Sequence, residues 1–311
     1  MNSLTRLSSI LLSLCATPLL TGCFTGVEST PTITDSEVRR QTSATPAESS
    51  FLQPLVDSLN NSPLRPGTPL LVTDTKIRLV VEPAAAAESI QAGDTLRLSA
   101  VEAASTLDGR QVAEIRLTDN SGQQFHHRTT LDPERVKTLS DLHIPFCIPL
   151  DVVDAVAGKL NGRKMFITSS SRYDLNDNFY TGRRFVPVEV TAVEPGNAYY
   201  PVRLTLRDDR DVTFHIFLSV DDASPMPRKF SSLFSMTDPR LNYPAITDAT
   251  WRNIVDGRVA SGMTREECRL ALGSPDNVDR QAGYSSVREI WTYKNGRYLV
   301  FIDGLLDTFR Q

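Results

Sequence analysis

The chain has 311 residues, a net charge of −4, and 40% hydrophobic and 23% charged residues. That length has room for two or three domains with cores of their own. A mildly acidic chain without a block of lysine or arginine is a poor partner for nucleic acid, so we expect no nucleic-acid binding.

The first 22 residues have the pattern of an export signal. Arg6 supplies a positive charge, residues 7–20 form a mostly apolar run, and the small residue Gly22 precedes Cys23. Serine and proline interrupt the run, which is also too short to span a membrane as a helix. An ordinary secretory signal, with Cys23 left as a thiol or disulfide partner, is the alternative.

The residues Leu20-Thr-Gly-Cys23 resemble the lipobox of bacterial lipoproteins. The resemblance implies cleavage between Gly22 and Cys23 and acylation of Cys23 with palmitate-type chains. More than one acyl chain makes such an anchor effectively permanent. Phe24 stands where retention at the inner membrane would favour aspartate, which by the same resemblance favours the outer membrane. We therefore expect a lipid-anchored protein of the cell envelope.

Residues 23–69 are rich in serine, threonine and proline, a composition that predicts a flexible tether. Residues 51–59 are an exception, because their apolar side chains recur at helical spacing. This short helix either docks on its own domain or is presented as a partner-binding motif.

Two β-rich stretches follow the tether. Alternating or β-branched runs predict strands in the first at residues 76–81, 95–101 and 113–118, and in the second at 164–168, 185–193, 202–207 and 212–220. Residues 117–126 align with residues 206–215 without a gap, and each segment reads as a hairpin that ends in Phe-His. We predict two tandem small antiparallel β-domains, barrels or sandwiches, at residues 70–158 and 159–241. Chance similarity between two hairpins is the alternative.

Residues 242–311 change to a helical pattern and then to strands. Asp248 predicts the cap of a first helix, and Gly257 its end. Thr264 and Glu267 have the spacing of a capping box for a second helix, and Met263 and Cys268 that of a hydrophobic staple.

Gly273 and Pro275 then predict the end of the second helix. Three strands follow, at residues 289–293, 297–302 and 305–309, and Asn295-Gly296 favours a type I′ turn between the first two. The predicted fold class is therefore α+β and mainly β, with a helix-helix-three-strand module at the end.

This last module resembles the BamE (SmpA/OmlA) family of envelope lipoproteins. The motifs that carry the resemblance are Gly257-Arg-Val259, Gly262-Met-Thr-Arg-Glu-Glu-Cys268, Leu272-Gly-Ser-Pro275 and Ile290-Trp-Thr-Tyr293 followed by Phe301-Ile-Asp-Gly304. It implies an accessory, non-catalytic role in outer-membrane protein assembly, through protein and phospholipid contacts. More than two hundred residues separate the lipobox from the module here, unlike the short linker of simple family members.

Each motif residue of the module is already expected to cap a helix, to end a helix or to pack in the core. We therefore expect these residues to be structural. They are Gly262, Met263, Thr264, Glu267, Gly273, Pro275 and Trp291.

Catalytic and metal-binding patterns are absent from the sequence, so we predict no enzyme, no cofactor and no metal. His126 and His127 are adjacent on a predicted strand and point to opposite faces, which disfavours one shared ion. Residues 174–178 are acidic but lack the glycine and glutamate of a calcium loop, which favours a solvated turn. Cys147 and Cys268 lie among apolar neighbours, which favours two free thiols over a disulfide.

Two functions remain open. The first is a non-enzymatic scaffold or adaptor that binds the membrane through acylated Cys23 and an envelope protein through its folded part. The alternative is a module whose β-domains bind glycan, peptidoglycan or peptide. Its motivation is a set of aromatic residues in the second β-rich stretch: Tyr173, Phe179, Tyr180, Tyr199 and Tyr200.

Overall fold

The computed structural model describes residues 51–220, 226, 228–283 and 286–311, which belong to one compact unit. The export signal, Cys23 and the first part of the tether lie outside the described residues. Within the described ranges, no helix is long and apolar enough to cross a membrane. The predicted class is confirmed at the level of a mainly β protein with antiparallel sheets and few helices.

The first sheet has five antiparallel strands. They are β1 (Pro69–Val72), β2 (Thr95–Ser105), β3 (Gln111–Thr118), β4 (Gln124–Arg128) and β5 (Cys147–Pro149). Their order is β4-β3-β2-β1-β5, so the sheet is open and ends in β4 and β5. Helix α1 (Gln53–Asn60) precedes β1, where the spacing of apolar residues predicts it, and buries Val56.

The second sheet has seven strands. They are β6 (Lys164–Ile167), β7 (Ser171–Tyr173), β8 (Phe179–Thr181), β9 (Val186–Pro195), β10 (Val202–Asp208), β11 (Thr213–Leu218) and β12 (Phe234–Ser235). Their order is β12-β6-β9-β10-β11-β7-β8. Helix α3 (Leu150–Leu160) packs against β9 and β10 of this sheet and against β1 of the first. The two sheets are thus open and joined by a helix, and neither closes into a barrel.

The two sheets share one arrangement of strands. If β7 and β8 are set aside, the order β11-β10-β9-β6-β12 corresponds strand by strand to β4-β3-β2-β1-β5. The aligned hairpins also share their register, because Leu117 pairs with Phe125 as Leu206 pairs with Phe214. We call α1 with β1–β5 the first repeat, and α3 with β6–β12 the second repeat.

Irregular features recur in the same places of the two sheets. One extra residue interrupts the pairing of β2 with β3 between Leu98 and Ala100, and that of β9 with β10 between Val190 and Ala192. A glycine with positive φ precedes the first strand of each repeat and donates its N–H to the residue before the bulge. The two bonds join Gly67 to the Leu98 oxygen at 2.7 Å and Gly162 to the Val190 oxygen at 2.9 Å.

The connection between the first two strands differs from the prediction and between the repeats. Residues 76–81 do not form a strand: a 3-10 helix runs over Thr75–Leu79, followed by the short helix α2 (Ala84–Ala87). Asp74 caps the 3-10 helix by accepting the Lys76 N–H at 2.8 Å, which turns the chain away from an extended path. The second repeat has the hairpin β7–β8 at this point.

After the short helix α4 (Phe230–Leu233) come two longer helices, α5 (Asp248–Val255) and α6 (Arg265–Leu272). The cap of α5 is Thr247, whose side chain accepts the Thr250 N–H, and Asp248 is the first helical residue. The prediction of Asp248 as the cap is therefore wrong by one residue. Threonine and aspartate are both good caps. Because they are adjacent here, the backbone conformation decides which of them caps the helix.

The last sheet has four strands in meander order where three were predicted. They are β13 (Asn277–Ala282), β14 (Val287–Thr292), β15 (Tyr298–Ile302) and β16 (Leu305–Arg310). Every residue of β13 is exposed, so the strand carries none of the alternation that predicts strands. The turn after β14 is not type I′ either, because Gly296 has positive φ and Asn295 does not.

Candidate functional site

The motif residues of the C-terminal module make structural contacts. Thr264 donates its N–H to Glu267 Oε2 at 2.7 Å, and Glu267 donates its N–H to Thr264 Oγ1 at 3.2 Å. Gly262 and Gly273 have φ values of +84° and +85°, the left-handed region that glycine enters without a steric penalty. Met263 is buried in the core. Pro275 follows the end of α6 and is partly buried.

Trp291 is fully buried and belongs to a polar centre that the sequence analysis missed. Its Nε1 donates to Glu289 Oε1 at 2.6 Å, while Arg265 and Arg280 contact Glu289 Oε2 at 3.0 and 2.8 Å. Burial raises the pKa of Glu289, but the Trp291 and Arg280 hydrogen bonds and the two arginine charges leave it below the ordinary value. The alternation that places Glu289 and Trp291 on one face of β14 is the signal that could have found this centre.

The two cysteines of the folded part are free thiols. Burial raises the pKa of Cys147 and of Cys268 to about 12. A thiol with that pKa is almost entirely protonated near neutral pH and is a poor nucleophile. Both cysteines therefore act as small apolar core residues.

One histidine reaches the acidic loop, because His215 Nε2 lies 2.6 Å from Asp177 Oδ1. His126 Nε2 lies 3.1 Å from Glu82 Oε2, and His127 Nδ1 lies 2.7 Å from the Val80 oxygen, so the two rings have separate partners. Within the part of the chain that the structure describes, no group of three or more histidine, cysteine or acidic residues is placed to hold a metal ion. Residues 174–178 form the turn of the β7–β8 hairpin, where Asp174 accepts backbone N–H groups.

Three of the five predicted aromatic residues meet on one face of the second sheet. The Tyr173 ring centroid lies 5.7 Å from that of Phe179, which is 61% exposed, and 5.2 Å from that of Phe217. The Tyr200 ring centroid lies 6.4 Å from that of Phe217. We call Tyr173, Phe179, Tyr200 and Phe217, together with His215, the aromatic cluster.

An arginine and a histidine complete this surface. The Arg228 guanidinium lies 5.5 Å from the Tyr173 ring centroid and 5.6 Å from that of Tyr200, within cation–π range of both. His215 stacks on Tyr173 at 5.8 Å. Phe217 and His215 alternate on β11, and that spacing could have predicted that their side chains share a face.

Tyr180 and Tyr199 do not join the cluster. Tyr180 lies next to Arg172, with which it interacts electrostatically, and the side chains of Arg172 and Tyr173 point to opposite faces of β7. Tyr199 is largely exposed in the loop between β9 and β10 and stacks on no ring within the described residues. The sequence analysis grouped these five aromatic residues but did not show which of their rings share a face.

The opposite face holds a buried charge. Arg172 is only 2% exposed, and its guanidinium lies 3.9 Å from the Phe214 ring centroid and 3.5 Å from Asp208 Oδ2. It also donates to the Arg183 carbonyl oxygen. Burial lowers its pKa, an effect that nearby Tyr180 and Asp208 oppose.

Beside this buried charge, a groove runs between the end of β8 and helix α5. One part has a volume of about 600 Å3 and includes Trp251 of α5 in its wall. The adjoining part has a volume of about 560 Å3. We call the adjoining part the arginine groove, after the five arginines that line it: Arg183, Arg184, Arg210, Arg258 and Arg297.

Comparison with known proteins found no matching family model, no matching curated protein and no matching solved structure.

Proposed function

We propose that this chain is a non-enzymatic lipoprotein of the bacterial envelope, anchored through acylated Cys23, most consistently in the outer membrane, and acting as a scaffold or adaptor. The observation that carries the proposal is the run Leu20-Thr-Gly-Cys23 at the end of an apolar signal. The Ser/Thr/Pro-rich tether after it would let the folded part reach partners away from the lipid surface.

We further propose that residues 70–158 and 159–241 are tandem β-domains and that residues 242–311 are a BamE-like module. The shared strand order and bulges support the first assignment. The capping box of α6, the exit at Gly273 and the antiparallel meander support the second. The resemblance of this module points to outer-membrane protein assembly or envelope integrity as the process it serves.

The adaptor role is tested by co-purification from envelopes solubilised in mild detergent. The wild-type chain is expected to sediment with membranes and to retain envelope proteins reproducibly. A Cys23→Ser variant lacks the sulfur that accepts the lipid, so it should leave the membrane fraction while its folded part remains intact. Recovery of no envelope protein with the wild-type chain would contradict the adaptor role.

A second candidate function is the binding of glycan, peptidoglycan or peptide by the aromatic cluster. The observation that favours it is the exposed Phe179 ring beside Tyr173, with Arg228 above the same surface. Aromatic rings and arginine are enriched among the residues that dominate binding energy.

Pelleting with purified peptidoglycan tests this candidate. A Tyr173→Ala/Phe179→Ala variant should bind at least about tenfold more weakly, because a central aromatic contributes about 2 kcal/mol or more. Tyr199→Ala is the matched control, since it removes an exposed tyrosine outside the cluster. Equal binding by the wild type and both variants would exclude the cluster as the binding surface.

A further inference from the structure

The arginine groove has a charge opposite to that of the whole chain. Five arginines line it, and Asp256 is its only acidic wall residue, whereas the chain as a whole has a net charge of −4. Asp209 at the rim partly offsets this excess, since it contacts Arg183 at 2.5 Å. Even with both aspartates counted, three positive charges remain. Such a concentration of like charge is unfavourable unless an anion offsets it.

Three of these arginines have no acidic partner among the described residues. Arg258 contacts Asp256 at 2.5 Å. Arg184, Arg210 and Arg297 make no ion pair with any residue of the described ranges. Arg210 extends from the turn between β10 and β11, and Arg297 from the turn between β14 and β15. The groove therefore brings unpaired guanidinium groups from the second repeat and the C-terminal module to one cavity.

The floor of the groove is held rigidly. The Arg184 N–H donates to the Val255 oxygen at 3.0 Å, which ties the segment after β8 to the end of α5. The Arg184 Nε donates to the Thr168 oxygen at 3.0 Å. Burial lowers the pKa of Arg184, so an anion nearby would favour its charged form.

Arg172 acts beneath this floor as a positioning residue. Its guanidinium donates to the Arg183 carbonyl oxygen and lies against Gly182, where an added Cβ would come within 2.3 Å of the arginine side chain. The buried charge therefore fixes the backbone at the point where two groove arginines begin. A site whose backbone is fixed in advance loses less entropy when a ligand binds.

We propose that the arginine groove binds a ligand with two or more anionic groups of the phosphate class. Guanidinium groups recognise phosphate oxygens through paired hydrogen bonds, which a single small anion could not satisfy across all five arginines. The volume of about 560 Å3 is in the range of small-molecule sites. The same chemistry is offered by a soluble pyrophosphate compound and by an anionic lipid headgroup.

Isothermal titration calorimetry on the purified full-length chain in non-ionic detergent tests the proposal. Inorganic pyrophosphate is expected to bind, and to bind more tightly than inorganic phosphate. In Arg210→Gln/Arg297→Gln, the affinity for pyrophosphate should fall at least about tenfold, as expected when charge-assisted hydrogen bonds are lost. Thermal unfolding of both proteins shows whether the variant is folded.

Arg65→Gln/Arg135→Gln is the matched control. It removes the same two charges from exposed arginines that do not line the groove, so its affinity should equal that of the wild type. Short-chain cardiolipin, whose headgroup carries two phosphates, distinguishes the source, with the zwitterionic phosphatidylcholine of the same chain length as its control. Tighter binding of the acidic lipid than of pyrophosphate assigns a lipid headgroup, and the reverse order assigns a soluble compound. The proposal is overturned if neither probe binds or if both double variants bind as the wild type does.

Discussion

The two repeats share strand order, register and bulges, but they differ in how the chain passes from their first strand to their second. In the first repeat this connection is helical and pairs with β4 at the bridge between Glu82 and His126. In the second repeat it forms β7–β8, and Tyr173 pairs with His215 at the corresponding position. The residue before each bridge is buried: Val81 in the first repeat and Arg172 in the second.

Both candidate sites lie at this difference between the repeats. Both repeats contain the same arrangement of five strands. The connection in the second repeat adds aromatic rings on one face of the sheet and a buried guanidinium on the other. The aromatic cluster and the arginine groove both depend on residues of this connection, namely Tyr173, Phe179, Arg183 and Arg184. Binding sites are commonly placed on connections that a rigid scaffold supports.

The largest expected effect comes from removing the partner of the buried charge. Asp208→Asn keeps the oxygen that accepts the Arg210 and Val212 N–H groups but leaves Arg172 without a countercharge. We expect a loss of about 3 kcal/mol or more in the free energy of unfolding, measured with urea.

Asp119→Asn is the control, because Asp119 occupies the same turn of the first repeat and accepts N–H groups from Ser121 and Gln123. No arginine of the described residues is buried at that turn, so Asp119→Asn should lower the free energy of unfolding by less than about 1 kcal/mol. Equal losses of unfolding free energy in the two variants would show that Arg172 and Asp208 do not stabilise each other. The second repeat would then not differ from the first in this respect.

The second effect concerns the space that Arg172 occupies. Gly182→Ala would place a Cβ 2.3 Å from the Arg172 side chain, so we expect a loss of about 2 kcal/mol from overpacking. Gly158→Ala in helix α3 meets no atom within 4 Å and should stabilise the protein by about 0.5–1 kcal/mol. Thermal unfolding measures both. If Gly182→Ala is more stable than the wild type, the Arg172 side chain does not lie against Gly182.

A buried carboxylate outside the repeats provides a pH-dependent comparison. The pKa of Glu289 is lowered in the folded state relative to its ordinary value of 4.5, so its contribution to stability is complete above that pH and is lost as the pH falls through the folded pKa. Glu289→Gln should cost roughly 1.5 kcal/mol at about pH 7.

The difference between wild type and Glu289→Gln should then shrink when urea unfolding is repeated at about pH 3. Trp291 fluorescence reports the same polar centre, since its Nε1 donates to Glu289. A difference that grows on acidification would mean that the pKa of Glu289 is raised in the folded state.

The smallest effect comes from exchanging the turn residues of the repeats. Gly122 and Asp211 occupy equivalent positions with φ of +90° and +60°. Asp211→Gly should stabilise the protein by about 0.5–1 kcal/mol, and Gly122→Asp should destabilise it by a similar amount, because side chains disfavour this region. Chemical denaturation of the two variants checks the signs. The same sign in both would show that the turns are not equivalent.

Much of this fold follows from local patterns. The Phe-His hairpins, the capping box at Thr264 and the exit at Gly273 are determined by neighbouring residues and are where the sequence predicts them. Strand β13 is not predictable in this way, because its polar sequence becomes a strand only by pairing with β14.

The candidate sites were less predictable than the fold. Tyr173 and Phe179 were singled out as aromatic, but Arg228 joins them from a segment 55 residues away from Tyr173. Apart from the adjacent Arg183 and Arg184, the arginines of the groove are scattered along the chain, so composition showed a mildly acidic protein and no positive site. Such sites arise only when strand order brings distant turns together, which no short pattern encodes.

The proposed function is tested most directly by the intact mass of the protein extracted from membranes. We predict a chain that begins at Cys23 and is heavier than its sequence by more than one acyl chain. A chain that still begins at Met1, or a Cys23 terminus without added mass, would contradict the assignment of this protein to the envelope as a lipoprotein.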